Sequence, residues 1–190
     1  MAKTTAYNEA SEEFLLARMA EGDKQAFQVL YERYHKGVYR YGFLMLGDSS
    51  AAADIYQETF LTLYKNCREG KNIRSVRGYL ISIVRSRCLD YMNSSRRYVS
   101  LEHSPEQSFE FDEARADTKE HLYQALSRIP EQYREAFVLF TLNDYSYLEI
   151  EQMLGVSRNV VKNRIYRAKQ GLQKILNPLL NDTGDGKESA

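Results

Sequence analysis

Apolar residues recur three or four positions apart along most of the chain, the spacing that lines one side of an α-helix. Asp23 opens the longest such run as an N-cap. Phe27, Leu30, Tyr31, Tyr34, Val38, Tyr41 and Met45 then hold the period over about five turns. Gly47-Asp48-Ser49 ends this helix and starts another over about 50–66. Its inner face is Ala52, Ile55, Thr59 and Leu63, widened by Tyr56 and Phe60. Ser75 caps a third helix, over about 76–94, with Val76, Leu80, Ile83, Val84 and Tyr91 inward. A weaker amphipathic segment at 11–20, with Phe14, Leu15 and Met19, is expected to pack on this group. No stretch alternates convincingly in the manner of a strand.

The period fails over 98–117, where Pro105 and several acids interrupt it, and this stretch is expected to be a linker. Helical spacing resumes near Thr118 with Leu122, Leu126 and Ile129. Pro130 begins a further helix, on which Ala136, Phe137, Phe140 and Thr141 face inward. Ser146 and Glu149 then form a capping box for a short helix with Leu148, Ile150, Met153 and Leu154, and Gly155 ends it. Val156 plugs the turn. Ser157 caps a last helix expected to run to about Leu176, where Pro178 stops it. Val161, Ile165, Ala168 and Leu172 form its buried stripe. The fold expected is all-α, with two small helical domains at 11–97 and 118–178 joined by a flexible acidic linker. The second domain is a helix-turn-helix, and 179–190 is a disordered tail.

Charge sharpens this picture. Lysines and arginines balance aspartates and glutamates at 26 each, yet the distribution is uneven. Residues 71–97 hold seven basic residues and one acid, residues 98–120 seven acids and two bases, and residues 156–176 six bases and no acid. A solvated helix face ordinarily mixes signs, so a one-signed face on a helix-turn-helix points to DNA. Its outer side carries Asn159, Asn163, Tyr166 and Gln170, flanked by Lys162 and Arg167. Asn and Gln suit adenine edges, and Lys and Arg suit guanine or phosphate. Lys162, Asn159 and Asn163 are expected to read bases, and Arg164 and Arg167 to hold phosphates. In the first basic stretch, Arg77 and Arg85 interleave with Tyr79 and Tyr91, a mixture suited to single-stranded or opened nucleic acid. Packing is the favoured role for Tyr91, which falls on the apolar stripe.

Other chemistry finds little support. Cys67 and Cys88 lack metal-ligand neighbours and read as reduced thiols of a cytoplasmic protein. His35, His103 and His121 are isolated, with no catalytic set and no glycine-rich phosphate loop beside them. No enzyme, metal or cofactor is expected. No run reaches the ~18 apolar residues of a membrane span, so no membrane insertion is expected.

Three segments, in order, resemble the bacterial sigma-70 family, in particular its small two-domain extracytoplasmic-function group. DIYQETFLTLY (54–64) resembles region 2.2. GYLISIVRSRCLDYMNSSRR (78–97) resembles regions 2.3–2.4. The stretch from Leu126 through Leu172 resembles region 4, including Ile129-Pro130 at its entry and Arg167-Ala168 near its end. The resemblance implies a promoter-directing subunit that binds RNA polymerase core through the β′ clamp helices and the β subunit. It places Asp54, Gln57, Glu58 and Leu61 at the core contact. It places the loop Cys67–Ser75 with Arg74, Arg77, Tyr79, Arg85, Ser86, Arg96 and Arg97 at the −10 element, where DNA is melted and a flipped base held. It places Arg158, Asn159, Lys162, Asn163, Arg164, Tyr166 and Arg167 at the −35 element, and an anti-sigma factor among the partners. Tyr79 stands where the family has Trp, Ser86 where Asn is common, and Tyr56 where a smaller aliphatic residue is usual. A conventional helix-turn-helix regulator with a helical sensory domain shares residues 146–176, but leaves DIYQETF and the basic stretch 71–97 without a role.

Overall fold

The computed structural model describes Tyr7, residues 9–99 and residues 118–182, and every regular element among them is helical. The chain divides into two compact units, Met1–Leu101 and Glu102–Ala190. The linker expected at 98–117 lies almost wholly outside the described residues, as does most of the tail.

The first unit contains α1 (Glu12–Ala20), α2 (Lys24–Leu46), α3 (Ser49–Arg68) and α4 (Val76–Val99). Local chemistry sets the ends of these helices. Ser11 accepts from the Phe14 N–H, Asp23 from Gln25 and Ala26, and Asp48 from Ser50 and Ala51. Gly47 closes α2 at φ 69°, a left-handed conformation that glycine adopts without steric cost. Ser75 Oγ accepts from the Gly78 N–H at 3.2 Å, as the sequence predicts for the start of α4. A second acceptor comes from afar: Glu12, in the first turn of α1, takes the Val76 N–H at 2.9 Å and the Tyr34 hydroxyl. One carboxylate thus joins three helices.

The core of this unit is Leu15, Met19, Leu30, Tyr41, Met45, Ala52, Leu63, Val76, Leu80, Val84 and Cys88, each almost fully buried. Where α2, α3 and α4 converge, a Cβ at Gly42 would lie 3.7 Å from Val84 and 3.8 Å from Ala52. Phe27, Tyr31, His35, Tyr39 and Phe43 recur every fourth residue on α2, and Tyr56, Phe60 and Tyr64 do so on α3. Their rings meet in a continuous aromatic ridge. Two expected inward residues face out. Phe14 is 47% exposed, because it sits about 100° around α1 from Leu15, and its ring meets Tyr7. Tyr91 is 39% exposed and donates its hydroxyl to Asp48 at 3.2 Å, so it borders the core where packing was expected.

The second unit contains α5 (Thr118–Ser127), α6 (Glu131–Phe137), a π-helical turn (Val138–Leu142), α7 (Tyr147–Leu154) and α8 (Arg158–Asp182). α5, α6 and α7 all pack on α8. The π turn, marked by the Asn143 N–H donating to the Val138 carbonyl, inserts an extra residue into the helical repeat. Across α6 and this turn Arg134 through Leu139 are all buried, while Thr141, expected inward, is exposed. Leu148 is likewise 50% exposed, since two residues on a helix separate it from buried Ile150 by about 200°. α8 continues through Pro178 to Asp182 and does not stop before it. A proline removes one intrahelical hydrogen bond and crowds the carbonyl four residues earlier, which bends a helix more readily than it ends one already propagated over several turns.

Candidate polymerase-binding and DNA-binding surfaces

Asp54, Gln57, Glu58 and Leu61 lie at i, i+3, i+4 and i+7 on α3, so they share one face, and all four are exposed. Leu61 is 66% exposed. The opposite face, Ala52, Ile55, Thr59 and Leu63, is buried as the periodicity predicts. α3 therefore presents an acidic and amide surface with an apolar residue that its own fold leaves in solvent. Glu58 is not unengaged, however, because its carboxylate pairs with the Arg87 guanidinium.

The residues expected at the −10 element gather on α4 and the loop before it. Cys67 belongs to α3 and is buried; its thiol donates to the Leu16 carbonyl at 3.2 Å, and burial raises its pKa. The loop proper begins at Glu69, turns at Gly70 (φ 76°) and buries Ile73. Together with Glu12, Leu16 and Ala17 of α1 it walls an open groove of about 390 Å³, with Asn72 and Arg74 on its rim. Arg74 and Ser86 are exposed, and Arg77, Tyr79 and Arg85 are half-buried. Arg96 and Arg97 continue the α4 helix, and their side chains lie outside the described residues.

A row of polar contacts seals α4 against α3. Tyr79 and Arg87, eight residues apart on α4, face Asn66, Thr62 and Glu58, spaced four apart on α3. The nearly buried Asn66 donates to the Tyr79 hydroxyl at 2.6 Å, and Arg87 donates to Thr62 Oγ1 at 3.1 Å as well as to Glu58. Tyr91 extends the row to Asp48. Sequence periodicity passes over Asn66, Thr62 and Arg87. Their signal is the i, i+4 register they share with residues that it does single out.

In the second unit the capping box forms as expected. Ser146 accepts from the Glu149 N–H, and the Glu149 carboxylate accepts from the Ser146 N–H at 2.8 Å. Gly155 (φ 64°) redirects the chain into α8, whose stripe Val161, Ile165, Ala168 and Leu172 is buried. Asn159, Asn163, Tyr166, Arg167 and Gln170 are exposed on the far side, and Arg164 is half-buried. Gln170 donates to the Tyr166 hydroxyl at 2.7 Å, and Arg167 to Asn163 at 3.4 Å. Three cations instead line the flank toward α7 and the π turn. Arg158 meets Glu151 at 3.3 Å, Lys162 stands 5.7 Å from the centre of the Tyr147 ring, and Lys169 stands 5.9 Å from that of Phe140. Lys162, grouped by sequence with Asn159 and Asn163, lies about 60° around the helix from Asn159 and about 100° from Asn163, on the edge of that face nearest α7.

Comparison with known proteins agrees with the fold and the family. The family described as Sigma-70 region 2 matches residues 30–98, and Sigma-70, region 4 matches residues 119–172. The chain belongs to the sigma-70 family. Among relatives of this sigma factor is the ECF RNA polymerase sigma factor SigM of Mycobacterium tuberculosis H37Rv. It is 28% identical over 169 residues, spanning 89% of this chain and 86% of that one. SigM of Bacillus subtilis strain 168 is 27% identical, spanning 80% of this chain and 96% of that one. The extracytoplasmic-function group is therefore the right one. Two solved structures share the fold. The sigma factor RpoE, in complex with the anti-sigma factor NepR from Bartonella quintana, aligns with a TM-score of 0.66 at 19% identity, covering 80% of this chain and 96% of that chain. CnrH, in complex with the cytosolic domain of CnrY, aligns with a TM-score of 0.64 at 21% identity, covering 88% and 97%. Membership makes this chain a transcription-initiation factor and not an enzyme. Among the described residues no helix is long and apolar enough to cross a membrane.

Proposed function

We propose that this sigma factor binds RNA polymerase core through the exposed face of α3, directs it to promoters and opens the −10 region through α4 and its preceding loop. The observation that carries the reading is that face itself. Asp54, Gln57, Glu58 and Leu61 are turned to solvent on a helix whose other side is committed to the core, so all four side chains are available to a partner. The β′ clamp helices are the assigned partner there, with the β subunit as a further contact. Arg74, Arg77, Tyr79, Arg85, Ser86, Arg96 and Arg97 serve the −10 strand, and the groove beside the loop has the room and the mixed polarity to hold an extruded base. Asn159, Asn163, Tyr166 and Arg167 form the side of α8 presented to the −35 element, with Arg158, Lys162 and Arg164 holding phosphates along it.

A structural relative solved in complex with an anti-sigma factor supports a further assignment, that such a factor holds this protein inactive. The units act at the two promoter elements together only when core polymerase bridges them, so isolated protein should bind duplex promoter DNA weakly. Co-elution of the purified chain with core, followed by transcription profiling on overexpression, tests the reading. A stable complex and a shared upstream motif among induced genes are expected. Failure to bind core, or tight sequence-specific duplex binding by the free chain, overturns it.

A further inference from the structure

We infer that Arg87 is a phosphate-binding residue for the opened promoter strand, that Glu58 withholds it in the free protein, and that polymerase engagement at Glu58 releases it. The inference rests on the functional reading above, which assigns Glu58 to core and the outer part of α4 to the −10 strand. Its own basis is the seam between α3 and α4.

Arg87 follows Arg85 and Ser86 directly, in a stretch that holds seven basic residues against one acid. It lies about 200° around α4 from Arg85 and about 100° from Ser86, on the side that faces α3. It folds across to α3, where it meets the Glu58 carboxylate and donates to Thr62 Oγ1 at 3.1 Å, while Thr62 in turn donates to the Glu58 carbonyl at 2.7 Å. The same carboxylate belongs to the exposed face that polymerase is proposed to cover. One ion pair therefore joins two surfaces meant for different partners, and a group on polymerase that takes Glu58 leaves Arg87 without its anion.

Exposure makes the exchange feasible. The side chains are 35% and 55% exposed, so water screens the attraction and a competing anion or cation can replace either partner cheaply. The next polar contact along the seam differs. Asn66 is nearly buried where it holds Tyr79, so that contact stays made and the α3–α4 packing does not depend on Glu58. Arg is also suited to the second partner, since its planar fork binds phosphate and carboxylate alike.

The test uses the full chain and a fluorescein-labelled, mixed-sequence single-stranded oligonucleotide, with affinity read by anisotropy over a range of salt. Glu58→Gln keeps the size and removes the charge. It should tighten binding by about 1.4- to 5-fold, the most that an exposed pair withholds. The slope of log affinity against log salt should steepen by about 0.7, for one more phosphate neutralised. In an Arg87→Ala background, Glu58→Gln should give no gain. At saturating core polymerase, the advantage of Glu58→Gln over the natural chain should vanish. Melting temperatures close to the natural chain's show that each variant folds. A gain that persists with Ala at position 87 means that Glu58 merely repels DNA, and overturns the inference. An equal gain with polymerase bound means that polymerase does not release Arg87, and also overturns it. If no form binds the oligonucleotide in a salt-dependent way, the −10 assignment itself fails and the inference with it.

Discussion

Leu61 offers the sharpest test of the polymerase contact, because its contribution to folding and to binding separate cleanly. It is 66% exposed on α3, opposite the buried row Ala52, Ile55, Thr59 and Leu63. Full burial of a leucine side chain is worth about 1.5–3 kcal/mol, so the two-thirds still in water leaves about 1–2 kcal/mol for a partner that covers it. Replacing Leu61 with Ser should therefore weaken core binding by about 5- to 30-fold. The helix should survive, since neither the caps of α3 nor its buried face is touched. Core affinity is measured by titrating labelled protein with RNA polymerase core, and stability by thermal melting monitored by circular dichroism. An unchanged dissociation constant would mean that polymerase does not cover this face. A clear fall in melting temperature would mean that Leu61 packs within the protein, and the area argument would then be void.

Further outcomes follow from the geometry. Gly42→Ala should stabilise the protein by about 0.5–1 kcal/mol in denaturant melts, because the helix interior gains propensity while the new methyl meets Val84 and Ala52 at ordinary contact distances; a loss would show that the three helices cannot accept it. Glu12→Ala should cost about 0.5–2 kcal/mol, since the Val76 N–H at the start of α4 loses its remote acceptor. Burial, then the bond to Glu12, pushes the Tyr34 hydroxyl up to about 12 from an ordinary value of 10. Its contribution is whole below pH 10 and declines as pH rises toward about 12, where the unfolded chain has already lost the proton. Tyr56, raised in the same direction by burial and its bond to Tyr31, adds to that decline, so Tyr34→Phe should make the alkaline loss shallower without removing it. On α8, Asn159→Ala should cost about 1–3 kcal/mol of discrimination at particular −35 bases in promoter-variant transcription. Arg167→Ala should lower activity about equally everywhere and reduce the salt slope by about one unit, and Lys162→Ala should behave the same way from its flank beside Tyr147. Altered base preference with Ala at 162 would return Lys162 to the reading face.

Much of this protein is decided within a few residues of each position, and that part is legible in the amino-acid sequence alone. Asp23, Asp48, Ser75 and the Ser146–Glu149 box start their helices, and Gly47 and Gly155 end theirs, because caps act on backbone groups two or three residues away. The buried stripe of α8 and the outward face of Asp54, Gln57, Glu58 and Leu61 follow from the same 3.6-residue repeat. The features that periodicity misplaces are those that depend on neighbours. Tyr91 continues an apolar stripe, but only the packed helices determine where that stripe stops being covered. Thr141 lies exposed within the π turn, a departure from the α-helical repeat that the periodic pattern of that stretch does not encode. Lys162 and Asn163 are both exposed, and only the position of α7 brings Tyr147 within 5.7 Å of Lys162. The joining of Glu12 to Tyr34 and Val76, and of Arg87 to Glu58, spans 22 to 64 residues of chain. Such pairs have no local signature. They form only once hydrophobic burial has brought the helices together, so tertiary structure, and not sequence periodicity, connects α1 to α2 and α4, and the exposed face of α3 to α4.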